Sequence, residues 1–349
     1  MTLASRWLDR RAALGAGLIA FAGGQAPAQQ RTLTEPVSID VRALPITHFK
    51  AGDSSLTRFG RCVFRGGMEL KSSHPQFGGL SGIAMDADGA GFLAVSDVGS
   101  WFQAKIAYDG ARPVALSDCV LAPILNSDGK PVRHTRWWDT ESLCLDRGFA
   151  YVGVERVNDV FRFDWAKDGF KARGQLMPVP PTFKTLPNNR GCECLAIAPK
   201  TSPVAGALVA IAERSGARSA PTKGFILTGP RQGEFELQLK DGFDATDITF
   251  LANGDLLVLE RFYETFKGVA MRIRRIDGAT VKSGALLDGP IQIEADLSYQ
   301  VDNMEALGLH VTREGETILT LLSDDNFSIL QRTLLLQFEL ALEPTIGSR

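Results

Sequence analysis

Residues 193–214 hold the stretch that decides the fold. Glu193-Cys-Leu-Ala-Ile opens a short apolar run, and Ala207-Leu-Val-Ala-Ile-Ala-Glu213-Arg214 carries a second run that closes on an acidic residue. The same plan recurs four more times. Ser81-Gly-Ile-Ala-Met precedes Phe92-Leu-Ala-Val-Ser-Asp97, and Glu141-Ser-Leu-Cys-Leu precedes Ala150-Tyr-Val-Gly-Val-Glu155-Arg156. Asp247-Ile-Thr-Phe-Leu precedes Asp255-Leu-Leu-Val-Leu-Glu260-Arg261, and Glu305-Ala-Leu-Gly-Leu precedes Thr317-Ile-Leu-Thr-Leu-Leu-Ser-Asp324. The openings lie 60, 52, 54 and 58 residues apart. Runs this short, punctuated by glycine, are strands rather than helices, and the period is that of a four-stranded propeller blade with variable loops. Asp88-Gly89, Asn253-Gly254 and Glu314-Gly315 sit between the paired runs as hairpin turns. Val160–Trp165, Gly224–Thr228 and Phe235–Leu239 supply outer strands.

Two ends remain outside the five copies, Phe59-Gly-Arg-Cys-Val-Phe64 with its neighbours and Thr333-Leu-Leu-Leu-Gln-Phe-Glu-Leu340. Together they suit a sixth blade, which would close the ring and hide the sheet edges. The expectation is therefore an all-β propeller, most simply six blades of four antiparallel strands, with five or seven as alternatives. The composition agrees: 44% hydrophobic, 22% charged and rich in glycine.

The N-terminus has a different character. Arg10-Arg11 is followed by an apolar stretch of about 11 residues and then by Ala26-Pro27-Ala28. This pattern is a secretory signal over residues 1–28, of twin-arginine type, although Asp9 and Ala13 depart from the usual flanks. The stretch is too short to span a bilayer, and no later run reaches that length. The expectation is export through the twin-arginine machinery to the periplasm or beyond, with no stable membrane anchor. Residues 29–349 would then form one monomeric propeller domain. The formal charge is −2, or near −4 without the leader, which excludes nucleic acid as an expected partner. Cys62, Cys119, Cys144, Cys192 and Cys194 show no metal spacing and are read as structural, with Cys192 and Cys194 on one face of one strand.

If each pair of runs is an antiparallel hairpin, the start of one lies beside the end of the other. Ser81 then neighbours Asp97, Glu141 neighbours Glu155, Glu193 neighbours Glu213, Asp247 neighbours Glu260, and Glu305 neighbours Asp324. All fall on one rim, where the first strands line the channel. Two carboxylates ~4 Å apart repel by roughly 1–4 kcal/mol, so something must offset the charge. A hard cation, Ca²⁺ or Mg²⁺, suits carboxylate oxygens. The expected ligands are Asp97, Glu141, Glu155, Glu193, Glu213, Glu260, Glu305 and Asp324. Arg156, Arg214 and Arg261, which follow Glu in three successive repeats, are the other source of compensation.

Gly78-Gly-Leu-Ser-Gly-Ile83, Asp139-Thr-Glu-Ser-Leu143, Glu155-Arg156, Glu193-Cys-Leu-Ala196, Glu213-Arg214 and Glu305-Ala-Leu307 together resemble the phytase-like family, also called "esterase-like activity of phytase", over roughly residues 60–340. The resemblance implies an exported bacterial propeller with hydrolytic activity on phosphoesters. Ser81 departs from the acidic pattern, and the basic run of a calcium phytase is missing, which argues against inositol phosphate.

The expected chemistry is metal-dependent hydrolysis of a small, phosphorylated substrate, with ester or lactone hydrolysis as a variant. Glu193 and Glu213 are the candidate acid–base residues, Arg156, Arg214 and Arg261 the candidate anion clamps, and His134 a candidate proton donor. His74, Trp137 and Trp138 belong to loops at the same rim. No nucleophile elbow, phosphate-binding loop or dinucleotide fingerprint is present. The rival reading is a non-catalytic propeller that binds a ligand, glycan or protein at the same mouth.

Overall fold

Each of the five sequence repeats folds as the inner hairpin of one blade. The structure is a computed structural model and describes residues 32–341; the leader and the expected cleavage site lie outside the described residues. The inner strands are Leu80–Met85, Thr140–Asp146, Cys192–Ile197, Asp244–Phe250 and Met304–Val311. Each pairs antiparallel with the strand that follows it in the chain, and each packs beside the inner strand of the next blade. The last inner strand packs against the first, which closes the ring.

The ring has five blades, not six. In the fifth sheet Met304–Val311, Thr317–Ser323 and Thr333–Leu340 come from the C-terminal part, and Cys62–Lys71 and Arg42–Ile46 come from the N-terminal part. Thr333–Leu340 pairs with Cys62–Lys71 from Thr333↔Leu70 to Leu340↔Cys62. The two ends do meet, as expected, but as outer strands of blade 5. The fifth repeat contributes one strand beyond its inner hairpin, so the N-terminal strands complete that sheet and leave nothing for a sixth.

The blades stand face to face, so both faces of each inner hairpin are buried and the strands read as nearly unbroken apolar runs. In blade 3, Leu208, Ala210 and Ala212 pack toward blade 2, while Val209 and Ile211 pack toward blade 4. Five separate hydrophobic clusters result, one between each pair of neighbouring blades. Away from the acidic end, the channel is a cavity of about 180 Å³ framed by segments such as Leu143–Leu145 and Leu195–Ile197.

Every inner hairpin has a β-bulge at its start. The register skips at Ser81, Glu141, Glu193, Thr246 and Glu305. A bulge re-aims its extra residue and breaks the alternation. It also separates Cys192 and Cys194, which were expected to share a face. Cys192 packs between blades 2 and 3, and Cys194 between blades 3 and 4. All five cysteines are free thiols.

Candidate functional site

Three layers of side chains meet at the mouth where the inner strands begin. The bulge layer holds Ser81, Glu141, Glu193, Thr246 and Glu305. The second layer is the residue on each second strand that follows the partner of the residue before the bulge: Asp97, Glu155, Glu213, Arg261 and Asp324. The third lies two residues before the bulge: Gly79, Asp139, Gly191, Asp244 and Asn303. Backbone bonds tie the last two layers together. Asp97 N donates to Gly79 O (2.8 Å), Glu155 N to Asp139 O (3.0 Å), Glu213 N to Gly191 O (2.8 Å) and Asp324 N to Asn303 O (2.9 Å), while Arg261 pairs with Asp244.

Seven of the eight expected ligands lie in these layers, and all seven are buried. Glu260 does not. It pairs with Ala245, one residue short of the ring position, so alternation turns it to the other face. There it accepts from Arg272 Nε (2.5 Å), Arg274 Nε (2.9 Å) and Arg274 Nη2 (2.5 Å), inside blade 4. Asp247 is displaced in the same way. Thr246 is the bulge residue of blade 4, and the Asp247 carboxylate instead accepts from Ile248 N (2.8 Å) and Leu307 N (2.7 Å), joining blade 4 to blade 5.

The ring position of blade 4 belongs to Arg261. Its guanidinium donates to Glu305 Oε1 (2.6 Å), Glu213 Oε1 (3.1 Å) and Asn303 Oδ1. Burial draws the Arg261 pKa down, but Glu305, Glu213, Glu193 and Asp244 outweigh it and hold the group above its ordinary value. Arg214 bonds Asp244 Oδ2 (2.6 Å), and Arg156 bonds Asp139 Oδ2 (3.0 Å) while lying over the Trp138 ring at 4.7 Å. His134 is exposed and hydrogen-bonds Thr32. The His74 ring accepts from Gln76 N within its own loop (3.3 Å). Trp137 bonds Asp159 (3.0 Å) and packs between blades 1 and 2.

On the opposite side, carboxylates face one another. Ligand atoms of Asp139, Glu141 and Glu155 lie within 4.8 Å of one another, as do those of Glu155, Glu193 and Glu213. Burial, then Glu141, pushes Glu155 well above the usual carboxylate range; a hydrogen bond with Glu193 pulls it back, and Glu213 and Asp139 push it up again. A bond between two carboxyl groups requires one of them to keep its proton. Glu193 is also raised, by burial and then by Glu155, Glu141, Glu213 and Glu305. Burial lifts Glu305 to about 8, with Arg261 opposing and Asp324, Glu141 and Glu213 adding to the rise. Asp244 reaches about 6 through burial and Glu213, against Arg214, Arg261 and Arg190.

These residues fit a divalent cation. The donors are all carboxylate oxygens, the set a hard cation takes. Glu155, the residue both groups share, has one oxygen, Oε2, that accepts no hydrogen bond from a backbone, hydroxyl, amide or cationic group among the described residues. Arg261 already compensates the side of the ring next to blade 5, and the two groups that could hold a cation lie between blades 2 and 3. Asp139 and Asp244 were missed in the sequence. The signal was available for Asp139, which stands two residues before Glu141.

The fold and this mouth define a class: a five-bladed β-propeller with a buried acidic ring at one end of its channel. The family model for phytase-like proteins, "esterase-like activity of phytase", matches residues 75–327, and the chain belongs to that family. No curated protein matches the sequence. Among solved structures, a GH43_1 enzyme from Xanthomonas citri is similar at 10% identity and a TM-score of 0.42, over 78% of this chain and 90% of that one. The N-terminal domain of Nup159 is similar at 10% identity and a TM-score of 0.36, over 81% and 96%. No described helix is long and apolar enough to cross a membrane.

Proposed function

We propose that the protein is an exported, metal-dependent hydrolase acting on a small phosphoester at the acidic mouth. The observation that carries this reading is the convergence of Asp139, Glu141, Glu155, Glu193 and Glu213, buried and mutually repulsive, beside cationic side chains. Asp139, Glu141, Glu155 and Glu193 would hold the cation, Ca²⁺ or Mg²⁺. When bound, it supplies polarisation of a substrate oxygen and a water of lowered pKa.

The chain's own groups complete the chemistry. Arg156 is one-third exposed and braced on Trp138, so its guanidinium can grip an anionic oxygen from solvent. Arg214 and Arg261 are committed to Asp244, Glu213 and Glu305, and they fix those carboxylates in place. Glu213, which stands outside that ligand set, can accept a proton from an attacking water. Export rests on the leader, residues 1–28.

One observation favours the rival binding reading: the ring carboxylates are each less than a tenth exposed, which leaves little open surface for turnover. The test is thermal unfolding of mature, metal-stripped protein with Ca²⁺, Mg²⁺, Mn²⁺ or Zn²⁺ against EDTA, with Glu193→Gln alongside. The expected result is a rise with Ca²⁺, about 2.7 kcal/mol at a hundredfold excess over Kd, lost in the variant. Phosphoester cleavage should then need both the cation and Arg156. No shift with any of the four cations overturns the metal site; a shift without cleavage leaves the binding module.

A further inference from the structure

The side of the mouth between blades 5 and 1 differs from the rest. Blade 1 places Ser81, a short side chain, at the ring position, and its hydroxyl turns back to donate to Gly79 O (3.2 Å). Gly78 and Gly79 stand beside it at φ 136° and 63°. The blade 5 connection, residues 324–332, lies against them, and Asp325 makes the joint. Its Oδ1 accepts from Gly79 N and Phe327 N, and its Oδ2 from Thr333 Oγ1, each at 3.0 Å. Asn326 and Phe327 are held at φ 47° and 51°, a region that residues other than glycine rarely adopt. This backbone brings the Phe327 ring to the lip of the mouth. A Cβ on Gly79 would meet Phe327 Cε2 at 2.6 Å and Asp97 Oδ1 at 2.1 Å, so an aromatic edge and a carboxylate stand side by side there. Phe327 is nevertheless 39% exposed, which leaves part of its ring open to a ligand.

A left-handed aromatic residue costs backbone energy and persists where surrounding contacts over-determine it, and such residues gather at ligand sites. The charge around this one is negative. Asp97, Asp324 and Asp325 stand on this side of the mouth, with Arg133 attracted to Asp97. Arg332 is engaged by Asp302 (3.6 Å) and Gln300 (3.0 Å), and Arg261 by Glu305 and Glu213. Glu305, the neighbouring ring residue, is buried and keeps one oxygen, Oε2, without a hydrogen-bond partner among the described residues. Carboxylates beside an aromatic ring call for a cation, and its kind follows from the geometry. A metal ion does not suit the place. Both Asp325 oxygens are committed, and among the described residues the groups of three acidic ligand atoms close enough to hold a metal lie between blades 2 and 3. An organic ammonium does suit it, because its diffuse charge is drawn to an aromatic ring and to nearby carboxylates without needing ligand atoms at coordination distance.

We infer that this lip binds an organic ammonium group, held between the Phe327 ring and the carboxylates of Asp97 and Asp324. Resting on the hydrolase reading, the substrate is then a phosphoester of an amino alcohol, with its phosphoryl end toward blades 2 and 3 and its ammonium end on Phe327. The probe is choline, titrated calorimetrically into the mature protein in EDTA. Beside it runs the uncharged isostere in which a tert-butyl group replaces the trimethylammonium. Phe327→Leu and Asp97→Asn are titrated alongside, and thermal unfolding verifies that they keep the fold. Choline is expected to bind, the isostere about tenfold more weakly, and each variant to weaken choline about fivefold or more. Phe327→Leu keeps the apolar bulk and removes only the aromatic face. Absence of choline binding, equal binding of the isostere, or binding that Phe327→Leu leaves unchanged overturns the inference. A second assay, with choline phosphate and glycerol phosphate offered in Ca²⁺, separates the two readings. A preference for choline phosphate that Phe327→Leu reduces supports both. Equal cleavage of the two esters keeps the hydrolase and overturns the ammonium site. Choline binding with cleavage of neither ester removes the hydrolase reading and leaves the ammonium site standing.

Discussion

Replacing Arg261 with Met removes its charge and its three side-chain hydrogen bonds at the mouth while keeping an unbranched stem of similar reach. Arg261 holds the ring position that carboxylates hold in the other four blades, and it contacts Glu305, Glu213 and Asn303. Loss of one partner from a buried ion pair costs roughly 3–5 kcal/mol. The Arg261 side chain is 21% exposed, so the lower end, about 3 kcal/mol, applies at a pH where the carboxylates are charged. For a large domain, about 2–4 °C per kcal/mol converts this to a fall of about 6–12 °C in Tm. The cost should depend on pH, with a definite sign. Glu305 has a folded pKa of about 8 against an ordinary 4.5. Stability from its neutral form is therefore complete below about pH 4.5 and is lost as pH rises through about 8. Arg261 lowers that pKa, so Arg261→Met raises it further and deepens the loss at high pH. Differential scanning calorimetry in EDTA at pH 6 and pH 9 measures both effects. The Tm deficit should be small at pH 6 and largest at pH 9. An equal deficit at the two pH values would refute the counter-ion role and leave only lost packing.

Two further substitutions separate scaffold from ring. Glu260→Gln leaves Arg272 and Arg274, each 1% exposed, without their shared buried carboxylate. It should cost about 3 kcal/mol in urea unfolding, yet leave any Ca²⁺-induced rise in Tm unchanged; loss of that rise would return Glu260 to the ring. Leu336→Ala acts on blade closure, because Leu336 is fully buried between blades 4 and 5 and pairs with Gly67 from the N-terminal strand. Its expected cost in urea unfolding is about 2–5 kcal/mol, and a value below 1 kcal/mol would mean that the joined ends do not carry the closure.

The inner hairpins were legible in the sequence because each has two apolar runs, a turn and an acidic end, all local features. The closing sheet was not, because Cys62–Lys71 and Thr333–Leu340 meet across most of the chain and nothing local says which sheet they join. The acidic ring was legible to within one residue. In blade 4, residue type was a misleading guide: Asp247 and Glu260 match the acidic pattern of the other repeats but stand one position from the ring. Position along a strand decides face, and the bulge at Thr246, which fixes position, leaves no mark in the hydrophobic period.

That one-residue slip changes the electrostatics of the mouth. With Glu260 in the ring, carboxylates would surround the channel evenly and a cation could lie on its axis. With Arg261 there instead, the blade 5 side of the ring is compensated by the chain itself. The carboxylates that face one another, Asp139, Glu141 and Glu155 in one group and Glu155, Glu193 and Glu213 in the other, lie between blades 2 and 3. A cation taken up at that place must displace the protons that Glu155 and Glu193 favour in the folded protein. Cation uptake there would therefore be coupled to proton release, and the mouth would become a better cation site as pH rises.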